Sequence, residues 1–337
     1  MKENDIFVEI KDAKYSNIIP TGSIAIDWGL FGLGGLPTGR IIEIYGKEGC
    51  GKTTLAMQIA KKTQEIGGYI FLADTERWDI SRIKQIGIEI DKKTLIRISG
   101  NTLEDIFMNI YAAIEWYKKN KLKKPVLIVF DSIALTPSKK EMEAIIKGNS
   151  APIGVNARAL TSILKTLQLM LENTPILVLI INQYRRNLTN INKPSFMSYG
   201  AKEFTVTGGE ALKFACDAII ELKPKKKIVV DNLVMGHTIQ AFTEKNKIAP
   251  PNITYEYIQY YNGKIGNWYT VHQVGVESEI IAQKGAWFSF SFEDKTVKYQ
   301  GQEGILKLKD KEYDYLKQEI IKYMRNKLMK INNLEVK

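Results

Sequence analysis

Apolar residues along this chain follow two rhythms. Four short, nearly unbroken runs read as strands buried on both faces. They are Arg40-Ile41-Ile42-Glu43-Ile44-Tyr45, Tyr69-Ile70-Phe71-Leu72-Ala73-Asp74, Pro125-Val126-Leu127-Ile128-Val129-Phe130-Asp131 and Pro175-Ile176-Leu177-Val178-Leu179-Ile180-Ile181-Asn182-Gln183. Between them the apolar positions recur at helical spacing: over Thr54 to Ala60, around 103–119 through Leu103, Ile106, Phe107, Ile110 and Ile114, and over roughly 156–172. Gly67-Gly68 stops the first of these helices. Apolar strands alternating with helices predict an α/β fold with a central, mostly parallel sheet covered on both faces.

The four strands end in Gly46, Asp74 to Glu76, Asp131-Ser132 and Asn182-Gln183. Catalytic groups of such sheets collect at the C-terminal strand ends, and this convergence suits a nucleotide hydrolase. Two polar segments of weak periodicity, 138–156 and 184–207, interrupt the alternation. The second is long for a connection and holds Arg185, Arg186, Lys193 and Lys202 among Phe196, Met197 and Tyr199. From about 265 the pattern becomes mixed, ending in a helix near 311–329. The expected organisation is a short N-terminal segment (1–18), a core (19–264) and a small α+β C-terminal domain (265–337).

Composition changes the picture in one respect. The 337 residues are 45% hydrophobic and 25% charged, as in ordinary globular proteins, but the net charge is +11. That excess favours polyanions, nucleic acid first. Two cysteines, Cys50 and Cys216, are too few for a disulfide framework. No run approaches the ~20 apolar residues of a membrane span, and Met1-Lys2-Glu3-Asn4-Asp5 lacks signal-peptide order. A soluble, cytoplasmic protein with no membrane partner is expected.

The chemistry is densest at Gly46-Lys47-Glu48-Gly49-Cys50-Gly51-Lys52-Thr53, a phosphate-loop pattern between a strand and a helix. Backbone N–H groups and the positive helix end face a polyphosphate there. Lys52 would reach the β/γ-phosphates, and the Thr53 hydroxyl would hold Mg²⁺ with Asp131, the aspartate ending the third strand. Glu76, just past the second strand, is the candidate to orient and deprotonate water. Gln183 could sense the γ-phosphate beside the long basic segment. Arg185, Arg186 and the aromatics near them offer charge for phosphates and flat faces for unstacked bases.

Further segments match a known family. Thr21-Gly22-Ser23, Gly34 to Gly46, Asp131 to Pro137, Ile181-Asn182-Gln183, Thr207-Gly208-Gly209-Glu210-Ala211-Leu212-Lys213-Phe214, Lys245 to Pro251 and Lys284 to Ser289 occur here in an order that resembles the bacterial RecA-type strand-exchange recombinases. The resemblance implies an ATP-dependent recombinase that forms a helical filament on single-stranded DNA and exchanges strands with a homologous duplex. Mediator or loader proteins and single-strand-binding proteins would be its partners. It implies that Glu76 activates water and that Gln183 couples the γ-phosphate to a DNA loop. Glu48, Gly49, Cys50, Gly51, Thr54, Asp79, Arg82 and Tyr261 would join Gly46, Lys52, Thr53 and Asp131 around ATP. Residues 143–154 and 184–207 would be the DNA loops. Ile153, Arg158, Lys165, Arg185, Arg186, Phe196, Gly208 and Gly209 would contact DNA. Lys245 and Lys247 would reach a neighbour's ATP, and Lys213 and Phe214 would lie in the subunit interface.

The chain departs from the family at several points. Gly49-Cys50 replaces two serines, putting a reagent-sensitive thiol in the loop. Arg82 stands where a tyrosine stacks on adenine. The N-terminal segment is short, and the C-terminal end is basic, with Lys322, Arg325, Lys327 and Lys330, rather than acidic. Two other readings share the fold: a hexameric helicase or translocase, and a non-catalytic ATP-binding regulator of recombination.

Overall fold

A computed structural model describes residues 17–149, 155–186, 204–206 and 208–333. β1 (Ile18–Ile19) pairs with β2 (Leu36–Pro37), the two flanking a π-helical turn at Ala25–Leu30. Then come β3 (Arg40–Gly46), α1 (Lys52–Glu65), β4 (Tyr69–Asp74), α2 (Ile80–Ile86), β5 (Leu95–Ile98), α3 (Leu103–Lys119) and β6 (Val126–Asp131). α4 (Lys139–Ile146), α5 (Val155–Leu171), β7 (Ile176–Arg186), β8 (Phe204–Val206) and α6 (Gly209–Ala215) follow. A long hairpin, β9 (Ala218–Val230) and β10 (Leu233–Asn246), leads to β11 (Thr254–Tyr260) and β12 (Ile265–Gly266). The chain continues through α7 (Asn267–Glu277), a three-stranded sheet of β13 (Ala282–Lys284), β14 (Trp287–Phe292) and β15 (Lys295–Gln300), and α8 (Asp310–Asn333).

The main sheet runs β12-β11-β10-β9-β3-β7-β6-β4-β5, with β8 attached to β7. Its pairs are parallel from β9 to β5 and antiparallel from β9 to β12. Alternation along β3 explains the two-sided core: Ile42 and Ile44 join one apolar cluster, Ile41 and Tyr45 the other. The α3 positions Leu103, Ile106, Phe107, Ile110 and Ile114 are all buried in that second cluster, as their helical spacing predicts. The first cluster reaches past residue 265 to Phe288, Phe290, Leu316 and Ile320, so α8 and the small sheet pack on it.

Register positions the site. Gly46 is opposite Gln183 in the β3–β7 pair and opposite Leu222 in the β3–β9 pair, and Asp74 is opposite Asp131 in the β4–β6 pair. One edge of the parallel half therefore collects the strand ends identified from sequence.

Several expectations require correction. The strand expected to end at Gln183 continues to Arg186, because Tyr184, Arg185 and Arg186 pair antiparallel with Val206, Thr205 and Phe204. The 138–156 segment contains α4, whose start is capped where Ser138 Oγ accepts from the Glu141 N–H at 3.3 Å, so residues 143–146 are helical rather than loop. The last helix is longer than 311–329. The β9–β10 hairpin was not foreseen: its turn, Asp231-Asn232, adopts positive φ at both residues (50° and 62°). The exposed lysines 223 and 225–227 broke the apolar signal of β9. Among the described residues no helix is long and apolar enough to cross a membrane.

Candidate active site

The phosphate loop turns sharply between β3 and α1. Gly49 and Gly51 hold φ of 71° and 93°, a region that L side chains rarely enter. Gly46 is packed so closely that a Cβ there would lie 2.4 Å from the Leu222 carbonyl oxygen. Lys52 opens α1 and is 5% exposed; its Nζ donates to the Gly46 and Lys47 carbonyls at 3.2 and 2.8 Å. This ammonium is thus folded back onto the loop's own carbonyls, which more strongly charged phosphate oxygens can replace.

Thr53 Oγ1 donates to Asp131 Oδ2 at 2.8 Å, and the Trp78 indole N–H donates to the same oxygen at 2.8 Å. Asp131 is fully buried, and its Oδ1 has no hydrogen-bond partner among the described residues. Burial, with Glu76 and Asp74 nearby, pushes its pKa up to about 6, against the Trp78 and Thr53 hydrogen bonds that lower it. An orphaned buried carboxylate oxygen beside a threonine hydroxyl fits a hard divalent cation such as Mg²⁺.

Glu76 is held close to that carboxylate by backbone bonds: the Thr75 and Glu76 N–H groups donate to the Asp131 carbonyl at 2.7 and 3.2 Å. Gln183 Nε2 donates to Glu76 Oε1. Behind Gln183, its own N–H donates to Asn182 Oδ1 at 2.9 Å, and Asn182 Nδ2 donates to the buried Glu43 at 2.8 Å. Burial raises Glu43 to about 7.

These groups face one cleft of about 560 Å³. Glu48, Gly49, Cys50, Gly51, Lys52, Thr53, Thr54, Glu76, Asp79, Arg82, Gln183 and Tyr261, all singled out from the sequence, line it. Gly46 and Asp131 lie just behind the lining. Arg82 Nη2 donates to Thr54 Oγ1 at 2.5 Å, and Asp79 caps α2 by accepting the Arg82 N–H at 3.1 Å. Sequence reasoning missed Trp78, His237, Gln259 and Tyr260 on the same walls. A strand pattern at Thr254–Tyr260, next to the assigned Tyr261, was the one signal that could have found the last two.

The reagent-sensitive thiol is corrected. Cys50 is fully buried against Gly46, and burial raises its pKa although Lys52 Nζ lies 3.8 Å from the sulfur.

Lys213, Phe214, Lys245 and Lys247 do not line the cleft but gather elsewhere. Lys245 Nζ donates to the carbonyls of Lys213 and Phe214 at 2.5 and 3.2 Å, Lys213 Nζ pairs with Glu244 at 3.0 Å, and the Lys247 N–H donates to the Asp217 carbonyl at 2.8 Å. Phe214 is 70% exposed. Arg158 and Lys165 are exposed on α5, seven residues apart and therefore on one face. Gly208 caps α6 at φ 89°, beside Gly209. Arg185 and Arg186 lie on β7; Ile153 and Phe196 lie outside the described residues.

A model of the RecA N-terminal domain matches residues 6–265 of the chain. The chain belongs to the RecA family. It is 33% identical over 291 residues to Protein RecA of Sulfurimonas denitrificans, covering 85% of this chain and 77% of that protein. The figures for Protein RecA of Clostridium beijerinckii are 32% over 286 residues, 84% and 74%, and for that of a Sulfurovum species 31% over 303 residues, 90% and 81%. This RecA-family chain is an ATP-binding, DNA-binding recombinase; neither the helicase reading nor the regulator reading is favoured.

Proposed function

We propose that this RecA-family chain is a DNA-dependent ATPase whose active site is completed by filament assembly on single-stranded DNA, and which then pairs that strand with a homologous duplex. The observation that carries this reading is the Gln183–Glu76 hydrogen bond inside the phosphate-loop cleft. It joins the residue best placed to orient water to the strand that runs on into the basic segment 184–207. A γ-phosphate that draws Gln183 away would free Glu76 and shift β7 together, so ATP and DNA would bias one element.

In this scheme the loop N–H groups and Lys52 hold the polyphosphate, and Thr53 and Asp131 hold Mg²⁺. When bound, the cation neutralises charge developing on the phosphoryl oxygens. Glu76 orients water and takes its proton. Lys245 and Lys247 serve the neighbouring protomer's site, with Lys213 and Phe214 in the contact between protomers. Arg158, Lys165, Arg185, Arg186, Ile153, Phe196, Gly208 and Gly209 face DNA. Residues 265–337 form a small C-terminal domain. Loader and single-strand-binding proteins act with the filament in the cytoplasm.

The test is ATP hydrolysis with and without single-stranded DNA across a protein titration. Stimulation that rises cooperatively with protein supports a composite site. Turnover that is low and indifferent to DNA refutes it.

A further inference from the structure

β11 presents to the cleft a buried amide with nothing to bond. Gln259 is 4% exposed, and neither its Oε1 nor its Nε2 has a partner among the described residues. Two placements aim it at ligand space. It lines the cleft, and it abuts the phosphate loop so closely that a Cβ on Gly51 would lie 2.1 Å from Oε1. Its cross-strand partner is His237 on β10, and Tyr261 follows two positions later. The His237 and Tyr261 rings, 5.7 Å apart, line the same cleft.

A buried amide without a partner destabilises the chain that carries it. Folds retain such groups where a ligand completes them. The anionic end of a nucleotide is already served by loop N–H groups and the Lys52 ammonium. An amide that both donates and accepts, flanked by two aromatic rings, suits the nucleoside end instead.

We propose that Gln259 is a specificity-determining residue of the nucleotide site, its side-chain amide hydrogen-bonding the base edge or a ribose hydroxyl of the bound nucleotide. The proposal rests on reading the cleft as a nucleotide site. It makes an unusual pairing of signs: removing the amide relieves the free protein while weakening its complex. A residue with a merely structural role would lower both.

The experiment is Gln259→Leu, with thermal unfolding of the free protein and equilibrium binding of ATP, GTP, 2′-deoxy-ATP and inorganic triphosphate to the Mg²⁺-supplemented protein. The free variant should melt at or above the wild-type temperature. ATP affinity should fall about tenfold, in line with losing one hydrogen bond. The losses should differ among the nucleotides and be absent for inorganic triphosphate. Unequal losses for ATP and GTP assign the contact to the base; an unequal loss for the deoxy-sugar assigns it to the ribose.

Wild-type affinity for every ligand overturns the proposal, as does an equal loss on all four, which marks a phosphate contact. A melting temperature that falls together with affinity also overturns it. Lys52→Ala separates the two levels: if wild type binds nucleotide and Lys52→Ala does not, the cleft reading stands whatever Gln259 does. If wild type binds no nucleotide, that reading fails first. Should the Leu variant not fold, Gln259→Met, similar in length and without either polar atom, carries the same readouts.

Discussion

Trp78 fixes Asp131, the aspartate proposed to hold the cation. Its indole N–H reaches Asp131 Oδ2 at 2.8 Å, while its backbone N–H is held by Asp74 Oδ2 at 2.7 Å. With Thr53 on the same oxygen, the Asp131 carboxylate is locked in one orientation and Oδ1 stays without a protein partner among the described residues.

Trp78→Phe keeps most of the buried ring and deletes the donor. Losing a group that orients a metal ligand costs about 10- to 100-fold in metal affinity. The variant should therefore need at least about tenfold more Mg²⁺ to bind a fluorescent ATP analogue. Binding without Mg²⁺ should stay as in wild type. An unchanged Mg²⁺ midpoint would show that the bond is incidental.

The Gln183–Glu76 bond predicts two variants that differ. Glu76→Gln should bind ATP and assemble, yet turn over about 10²- to 10⁴-fold more slowly, the usual contribution of a general base. Gln183→Ala should retain ATP affinity and lose the response of DNA binding to ATP. The measurements are steady-state hydrolysis and DNA binding with ATP against ADP. Normal hydrolysis by the Glu76 variant would assign water activation elsewhere.

Lys52, Thr53, Glu76, Asp131 and Gln183 were legible because parallel strands with apolar runs announce themselves, and their ends must share one edge. Trp78, His237 and Gln259 were not. Trp78 follows a strand end by a turn whose geometry depends on Arg77 at φ 59°. His237 and Gln259 belong to the antiparallel half, where β9 carries exposed lysines and a buried glutamate, Glu221, in place of an apolar run. Their approach to the phosphate loop is set by the β9–β3 register, a long-range pairing that local pattern does not encode.

Cys50 and Cys216 are both fully buried, and burial raises both thiols above their ordinary pKa. In native protein both should react with an aromatic disulfide reagent at least about tenfold more slowly than an exposed thiol. Both should titrate promptly after denaturation. A fast native thiol, mapped to Cys50 by its loss in Cys50→Ser, would mean that the loop opens readily.

Asp27 gives a pH signature. It accepts from the Thr21 hydroxyl and N–H at 2.7 and 2.9 Å, yet burial raises its pKa from 3.8 to about 7. Between those values the unfolded chain has released a proton that the folded chain keeps, so stability falls as pH rises and levels off above about 7. The slope from this group is at most about 1.4 kcal/mol per pH unit. Urea unfolding at several pH values should show wild type losing stability relative to Asp27→Asn across this window. Parallel curves would show that Asp27 is ionised when folded.

Lys245 tests whether the site is shared. Within its own chain it is held by the Lys213 and Phe214 carbonyls, away from the cleft that contains Lys52. Lys245→Ala should fold and bind ATP but hydrolyse it poorly, and Lys52→Ala should fail at binding. Each protein retains what the other lacks. In a head-to-tail assembly of equal, randomly mixed protomers, about a quarter of the contacts would join an intact phosphate loop to a neighbour that retains Lys245. The mixture should therefore recover up to about a quarter of wild-type DNA-stimulated hydrolysis, although neither variant alone hydrolyses ATP well. Recovery requires a cation donated between protomers, because no single chain in the mixture has both lysines. If the mixture stays inactive while both variants still co-assemble, Lys245 acts within its own chain.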